Sequence, residues 1–315
     1  MRPGGRPAGV LARRVAVLVL SLLAVASLIF LMTSILPGDQ AAIMLGTSAS
    51  PETMAALRAE LGLDQPLWLR YLQWIADAAR GDFGVSATYG VPVSRLLAER
   101  LSVTLPLAGL AMLAATLLAL PLAMAAALRR PAAETAVALL AQGGIALPGF
   151  FIGILLILAF QAGPLPTGGF PGWQDGLAAL PYLILPAIAL AVPQAAVLAR
   201  VARGALKEAL SQDHVRTARA KGLTDAAIMR RHVFGSALPA ILTLAGLQLS
   251  YLVAGAVLVE NVFVLPGLGR LAIQALAQRD IPVLQGCILI FVAMVVLVNF
   301  AIETVIATAD PRART

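Results

Sequence analysis

Charge is scarce in this chain, and so is most of what builds a catalytic site. Charged residues fill 12% of the 315 positions, hydrophobic residues fill 60%, and the mean hydropathy is +0.89. A soluble domain carries about 25% charged residues. The composition therefore excludes one, and a count of membrane spans replaces a count of domains. The single cysteine, Cys287, lies in an apolar run, so no intrachain disulfide can form and the thiol reads as buried and inert. Of the two lysines, Lys207 precedes Glu208 and Lys221 precedes Gly222. Neither is followed by Ser or Thr, which excludes the phosphate-binding loop of an ATPase. The two histidines, His214 and His232, stand apart, with no cysteine or acid cluster beside them to suggest zinc. There is no G-x-S-x-G, no H-E-x-x-H and no pair of acids inside one apolar run.

What is present is a series of long uncharged stretches. Crossing a hydrocarbon core of about 30 Å takes about 20 helical residues. Six stretches qualify: 15–36, 101–128, a helix over 135–160 within the run 135–174, 176–199, 233–259 and 281–302. The third run breaks at the Gly- and Pro-rich residues 163–172. The first, at 22 residues, is too long for the apolar core of a signal peptide and reads as an uncleaved anchor. The expectation is an all-α membrane protein with six transmembrane helices.

Orientation follows from the distribution of Lys and Arg. Sixteen of the 23 fall at residues 1–14, at 129–130, within 200–232 and after 309; the other seven fall in the alternate loops. Both termini are thus expected in the cytoplasm. The basic charge is accounted for by topology, and nucleic acid is not an expected partner. The chain divides into a tail (1–14), a first span (15–36), an external helical segment (37–100), a core (101–308) and a second tail (309–315). In the external segment Ser50 and Pro51 open a helix that Gly62 ends, and residues 66–80 form another, closed by Gly81. Trp68, Tyr71 and Trp74 suit a collar on the bilayer surface, the alternative being substrate contact. Pro266-Gly267-Leu268-Gly269 reads as a turn.

The segment 200–232 is a charged island holding eight Lys and Arg residues and both histidines. Residues 211–220 read as a short helix stopped by Gly222, and Thr224 or Asp225 caps the next. Val215 and Ala218 form an apolar stripe beside a ridge of Arg216 and Arg219. Such a helix either rests among lipid headgroups or docks a soluble partner; composition alone favours the first. Within the spans, Gln248, Ser250 and Tyr251 either line a pathway or pack between helices. Asn299 shares a helix face with Glu303, which reads as a residue of the cytoplasmic interface.

Along nearly its whole length the chain resembles the permease subunit of bacterial ATP-binding-cassette importers of the dipeptide, oligopeptide and nickel type, in the form with a long first external loop. The matching stretches are Leu36-Pro37-Gly38-Asp39, Leu61-Gly62-Leu63-Asp64-Gln65-Pro66 and Gly81-Asp82-Phe83-Gly84. They continue with Asp213-His214-Val215-Arg216-Thr217-Ala218-Arg219-Ala220-Lys221-Gly222, Gly255-Ala256-Val257 with Glu260 and Phe263, Pro266-Gly267-Leu268-Gly269, Arg279-Asp280-Ile281-Pro282 and Asp310-Pro311-Arg312. Their shared order and spacing carry the resemblance.

The resemblance implies that residues 206–232 form the coupling segment, which docks into a groove on the ATPase. Asp213, Val215, Arg216, Thr217, Ala218, Arg219, Ala220, Lys221 and Gly222 would be its coupling residues. Arg216-Thr217-Ala218 stand where the general motif has Glu-Ala-Ala, and Leu238-Pro239 lies about one turn further on; the former departure is usual in the peptide and nickel branch. Also implied are a second homologous permease, two cytoplasmic ATPases that hold the ATP and magnesium, and a periplasmic or lipid-anchored binding protein. No cofactor is expected on this chain, which would sit in the bacterial inner membrane. Di- or oligopeptide is the substrate expected from family frequency, with nickel or another small polar solute as alternatives. A single-chain secondary transporter would show internal repeats or charges at membrane depth, and a membrane enzyme would show convergent acids or metal ligands; neither pattern is visible.

Overall fold

Lipid offers the backbone no hydrogen-bond partners, so a spanning chain without a closed barrel must be helical. The computed structural model describes residues 7–35, 40–45, 50–60 and 62–309. Among these the only extended pairing is one isolated antiparallel bridge, Val85 to Pro92. In chain order the helices are α1 (Pro7–Ile35), α2 (Gln40–Leu45), α3 (Pro51–Glu60), α4 (Leu67–Ala79), α5 (Val93–Ala127), α6 (Pro131–Ala146) and α7 (Gly149–Phe160). After a 3-10 turn at Trp173–Ala179 come α8 (Pro181–Leu210), α9 (Asp213–Ala220) and α10 (Asp225–Ile228). A π turn, Met229–Val233, leads into α11 (Phe234–Val262), then α12 (Leu268–Gln278) and α13 (Ile281–Ala309). The stretches 1–6, 36–39 and 310–315, which include the Leu36-to-Asp39 and Asp310-to-Arg312 motifs, part of the first tail and most of the second, lie outside the described residues.

Among the described residues, five helical stretches are long and apolar enough to cross a membrane: Ala12–Ile35, Val93–Ala127, Pro181–Leu210, Asp225–Val262 and Ile281–Thr304. The expected straight third span is corrected. Its residues form α6 and α7, bent by 102°, and they make a sixth span only as a broken pair. Pro148 is the cause. It has no N–H to donate and disfavours helical geometry in the residue before it. Leu147 is accordingly extended (φ −100°, ψ 122°), and Pro148 becomes the cap of α7. The fourth span is shifted too. Its helix begins at Pro181, since Gly176 (φ 57°, ψ −126°) interrupts the preceding turn, and it runs through the first charges of the island to Leu210. The fifth begins in the island at Asp225. The loop expected as a turn between the last two spans is more than one, because α12 follows the Pro266-Gly267 bend.

The chain forms two compact units. The first comprises Pro3–Thr104 and Pro266–Val296. Its helices α3 and α4 fold as the caps direct: Ser50 Oγ accepts the Thr53 amide at 3.2 Å, and Gly62 (φ 65°) and Gly81 (φ 82°) take the left-handed geometry that ends them. Phe30 of α1 packs edge-on against Tyr71, with ring centroids 5.4 Å apart, and tilted against Trp74 at 5.8 Å. Tyr71 Oη and Ser27 Oγ share a 2.6 Å hydrogen bond. Trp68, by contrast, is 64% exposed, as a membrane-surface residue would be. Asp280 is fully buried and organises the rest of the unit. Its carboxylate accepts the Ser86 hydroxyl and, at 3.0 Å, the Thr88 amide, while its other oxygen lies 3.5 Å from the Val283 amide at the start of α13. Val93, Leu97, Leu268, Leu271, Val283 and the buried Cys287 form the core beside it.

The second unit comprises Leu105–Leu265 and Leu297–Thr315. Its core is made largely of alanine. Ala115, Ala119, Ala123 and Ala126 of α5 and Ala191, Ala195, Ala199 and Ala202 of α8 recur about every fourth position and are all at most 4% exposed. With little hydrophobic drive between helices in lipid, small side chains let the backbones approach closely enough for dispersion to hold them. The same device joins α6 to α8: a Cβ at Gly144 would come 2.7 Å from Ala196 Cβ. Arg200 donates to the Ala141 carbonyl at 3.4 Å, and Lys207 Nζ meets Glu134 Oε1 at 2.7 Å.

Candidate functional site

The charged island folds as three connected pieces of the second unit. Its first residues extend α8. At Gln212 the chain turns extended (φ −73°, ψ 152°) and α9 begins, with Asp213 in its first turn where the helix dipole favours an acid. Gly222 ends α9. At φ 80° it occupies the left-handed region, and its amide donates to the Arg219 carbonyl at 2.9 Å while the Leu223 amide reaches Ala218 at 3.3 Å. Thr224 then caps α10, its hydroxyl accepting the Ala227 amide at 3.4 Å. The π turn inserts one extra residue into the ladder before α11.

The two faces of α9 part company. Val215 is fully buried and Ala218 is 6% exposed; both belong to the core cluster that contains Ala126 and Ala127 of α5, Ala202, Leu206 and Ala209 of α8, Ile228 of α10, and Met229 and Val233 of the π turn. The apolar stripe read from the sequence is therefore occupied by this chain's own helices. Asp213, His214, Arg216, Thr217, Arg219, Ala220, Lys221 and Gly222 are all exposed. Arg219 Nε lies 3.6 Å from Asp225 Oδ1, tying α9 to α10, and Arg216 lies 3.8 Å from Asp213 along its own helix. The rings of His214 and His232 lie tilted to each other at 54°, with centroids 6.2 Å apart. Arg129, Lys207, Ser211, Arg219 and Asp225 line a notch of about 540 Å³ between α9 and the ends of α5 and α8.

The candidate pathway residues do not gather at one place. Gln248 is buried, and its Nε2 donates to the Gln194 carbonyl of α8 at 2.8 Å. Its Oε1 and the hydroxyl of Ser250 are buried without partners among the described residues. Tyr251, one turn on, is 69% exposed, and Asn299 is half-buried on α13. Sequence reading missed Glu134, whose ion pair with Lys207 locks the start of α6 to the island. Its signal was a lone acid after a basic pair at the start of an apolar run. Among the described residues no three His, Cys, Asp or Glu side chains gather as a metal site would require.

Two family models match the chain. Residues 102–315 fit the binding-protein-dependent transport system inner membrane component, and residues 9–108 fit the N-terminal part of the corresponding membrane component. Among curated proteins, a putative peptide transport system permease protein of Brucella abortus (strain 2308) is 40% identical, covering 96% of this chain and 98% of its own length. A probable peptide ABC transporter permease protein of Sinorhizobium fredii is 38% identical over 91% of this chain and 93% of its own. A glutathione transport system permease protein of Salmonella choleraesuis is 37% identical over 96% and 97%. Among solved structures, the inward-facing MetNI methionine ABC transporter contains a similar fold, with a TM-score of 0.55 and 20% identity over 68% of this chain and 96% of that one.

Proposed function

We propose, on the premise that this chain belongs to the family of binding-protein-dependent transport system inner membrane components, that α9 is the point at which ATP-driven motion enters it. Family membership makes the chain a multi-pass inner-membrane permease subunit of a peptide-family ABC importer, a transport protein working with ATPase subunits rather than an enzyme.

One observation carries the coupling role. Val215 and Ala218 lock α9 into the same core as α5, α8 and the start of α11, while the rest of its surface faces outward. A partner pressing on Asp213, Arg216, Thr217, Ala220 or Lys221 would move a body already packed against three spans. Two cytoplasmic ATPases closing on ATP and magnesium would supply the push, and this chain would hold no nucleotide itself. Coupling of this kind needs a two-state element that the partner biases. Rigid tilting of the spans would then open, to the outside, a path shared with a second homologous permease, and a periplasmic or lipid-anchored binding protein would deliver the solute. Both termini lie in the cytoplasm on this reading, which the Lys and Arg distribution supports. Di- or oligopeptides are the solutes, supported by the names of the relatives.

Reconstitution tests the reading. Proteoliposomes with the permease pair and ATPases take up peptide only with ATP, and this chain alone takes up none; ATP-independent uptake by the chain alone overturns it. Arg216→Glu is expected to weaken ATPase docking while the permease stays folded, whereas Val215→Asp disrupts the core under α9 and lowers thermal stability as well. Docking unaffected by Arg216→Glu and Lys221→Glu together rules out this surface.

A further inference from the structure

In the first unit, three elements converge on a small cavity of about 200 Å³ beside the Pro266-Gly267 bend. Tyr89 comes from the loop before α5, Arg100 from α5, and Arg270 and Gln274 from successive turns of α12. No acidic side chain lines it. Arg100 is the informative member. Its Nε is buried and donates to nothing among the described residues, and no ion pair there includes its guanidinium. A guanidinium cannot shed its charge, and a buried N–H without an acceptor costs free energy that folding leaves in place only for a reason.

The walls are fixed in advance. Tyr89 donates its amide to Ser86 Oγ at 2.9 Å, and Ser86 is held in turn by the buried Asp280. One turn along α5 from Arg100, Thr104 Oγ1 accepts the Leu268 amide at 2.8 Å, which pins this face of α5 to the start of α12. A site held so stiffly loses little freedom when it binds. Its donors suit a planar anion: the guanidinium fork matches the two oxygens of a carboxylate. Pockets for whole drug-sized ligands run about 300–1,000 Å³, so this one admits the end of a molecule.

We propose that this cavity is a carboxylate-binding site, with Arg100 as its principal donor and the C-terminal carboxylate of a small peptide as its ligand. The carboxylate chemistry follows from the cavity; the peptide as its bearer rests on the peptide-importer reading above.

Two arms keep these apart. In the first, the full-length chain in lipid nanodiscs is titrated calorimetrically with N-acetylalanine and with N-acetylalaninamide, probes of nearly equal size that differ in charge. The acid binds saturably and at least about tenfold more tightly than the amide, as the loss of a charge-assisted hydrogen bond dictates. Arg100→Gln brings the acid down to the level of the amide, and Arg100→Lys, which keeps the charge and loses the fork, falls between. Should Arg100→Gln fail to fold, Arg100→Lys and Gln274→Leu decide the matter, each weakening the acid selectively. Equal binding of the two probes, or acid binding unchanged in the folded variants, overturns the site. In the second arm the complete importer is offered alanylalanine and its C-terminal amide. Uptake of the acid in preference, lost in the Arg100 variants, supports the ligand assignment. No uptake of either by the wild type overturns the peptide assignment, while the first arm still judges the carboxylate site.

Discussion

Ser86 and Asp280 meet in a buried hydrogen bond although 194 positions separate them. The same carboxylate holds the Thr88 amide, so one side chain closes the loop before α5 onto the start of α13. Asp280→Ala strands the buried Ser86 hydroxyl, at about 1–3 kcal/mol, and releases the Thr88 amide, which lies nearer the surface. The purified protein should melt earlier, and protease should cut near residues 86–90 sooner. Asp280→Asn, which keeps the volume and one accepting oxygen, should lose less; equal losses would mean that the negative charge itself holds these donors.

Gly144 and Ala196 set the approach of α6 to α8. Gly144→Ala places a methyl 2.7 Å from Ala196 Cβ, and overpacking of that kind costs roughly 1–3 kcal/mol. Ala196→Gly in the same chain should restore most of the melting temperature. Failure of that rescue would locate the strain at the Val192 carbonyl, the next neighbour at 3.2 Å.

Gly222 has space around it but little conformational choice. No atom lies within 4 Å of a Cβ built there, yet φ is 80°. A β-branched residue in that region is strained by roughly 1–3 kcal/mol, and Asn tolerates it better. Gly222→Val should therefore uncouple ATP hydrolysis from uptake while membrane insertion is normal, and Gly222→Asn should be nearly silent. The ratio of ATP hydrolysed to peptide imported is the measurement, and equal ratios for Val, Asn and Gly would remove the glycine from the coupling mechanism.

Gln248 and Tyr251 should separate packing from pathway. Gln248→Leu removes a hydrogen bond to the backbone of α8 and should lower stability by about 1 kcal/mol without changing uptake per folded molecule. Tyr251→Ala, at an exposed position, should leave stability within about 0.5 kcal/mol. A change in substrate preference in either variant would instead place that residue on the solute's route.

Much of this was legible because lipid makes the code simple. Uncharged runs marked the spans, and Ser50, Gly62, Gly81, Thr224 and Gly222 marked helix ends, since each acts on its immediate neighbours. The break at Leu147-Pro148 was also local, but it lay inside a 40-residue uncharged run, where the later Gly- and Pro-rich residues looked like the more natural stop. Charge misled at both ends of the island: Arg200 and Arg203 closed the hydrophobic run without closing the helix. The pairs that fix α9 were out of reach for a different reason. That Val215 would share a core with Leu206 and Met229, or that Glu134 would meet Lys207, depends on which helices pack together, and short-range pattern does not encode it. Arg100 carries no marker at all in sequence; only its orphaned Nε sets it apart.

The continuity of α8 through its charged end has a consequence for how this region can vary. Its 30 residues turn about 100° each, and beyond Pro193 no proline interrupts them. Inserting one residue there would swing every later side chain a quarter turn or more. Ala202 and Leu206 would leave the core, and Lys207 would leave Glu134. Exchanges of one small residue for another are cheap in this stretch, but additions and deletions are not. Relatives should therefore differ here in letters and keep the count of residues from Pro193 to Gly222.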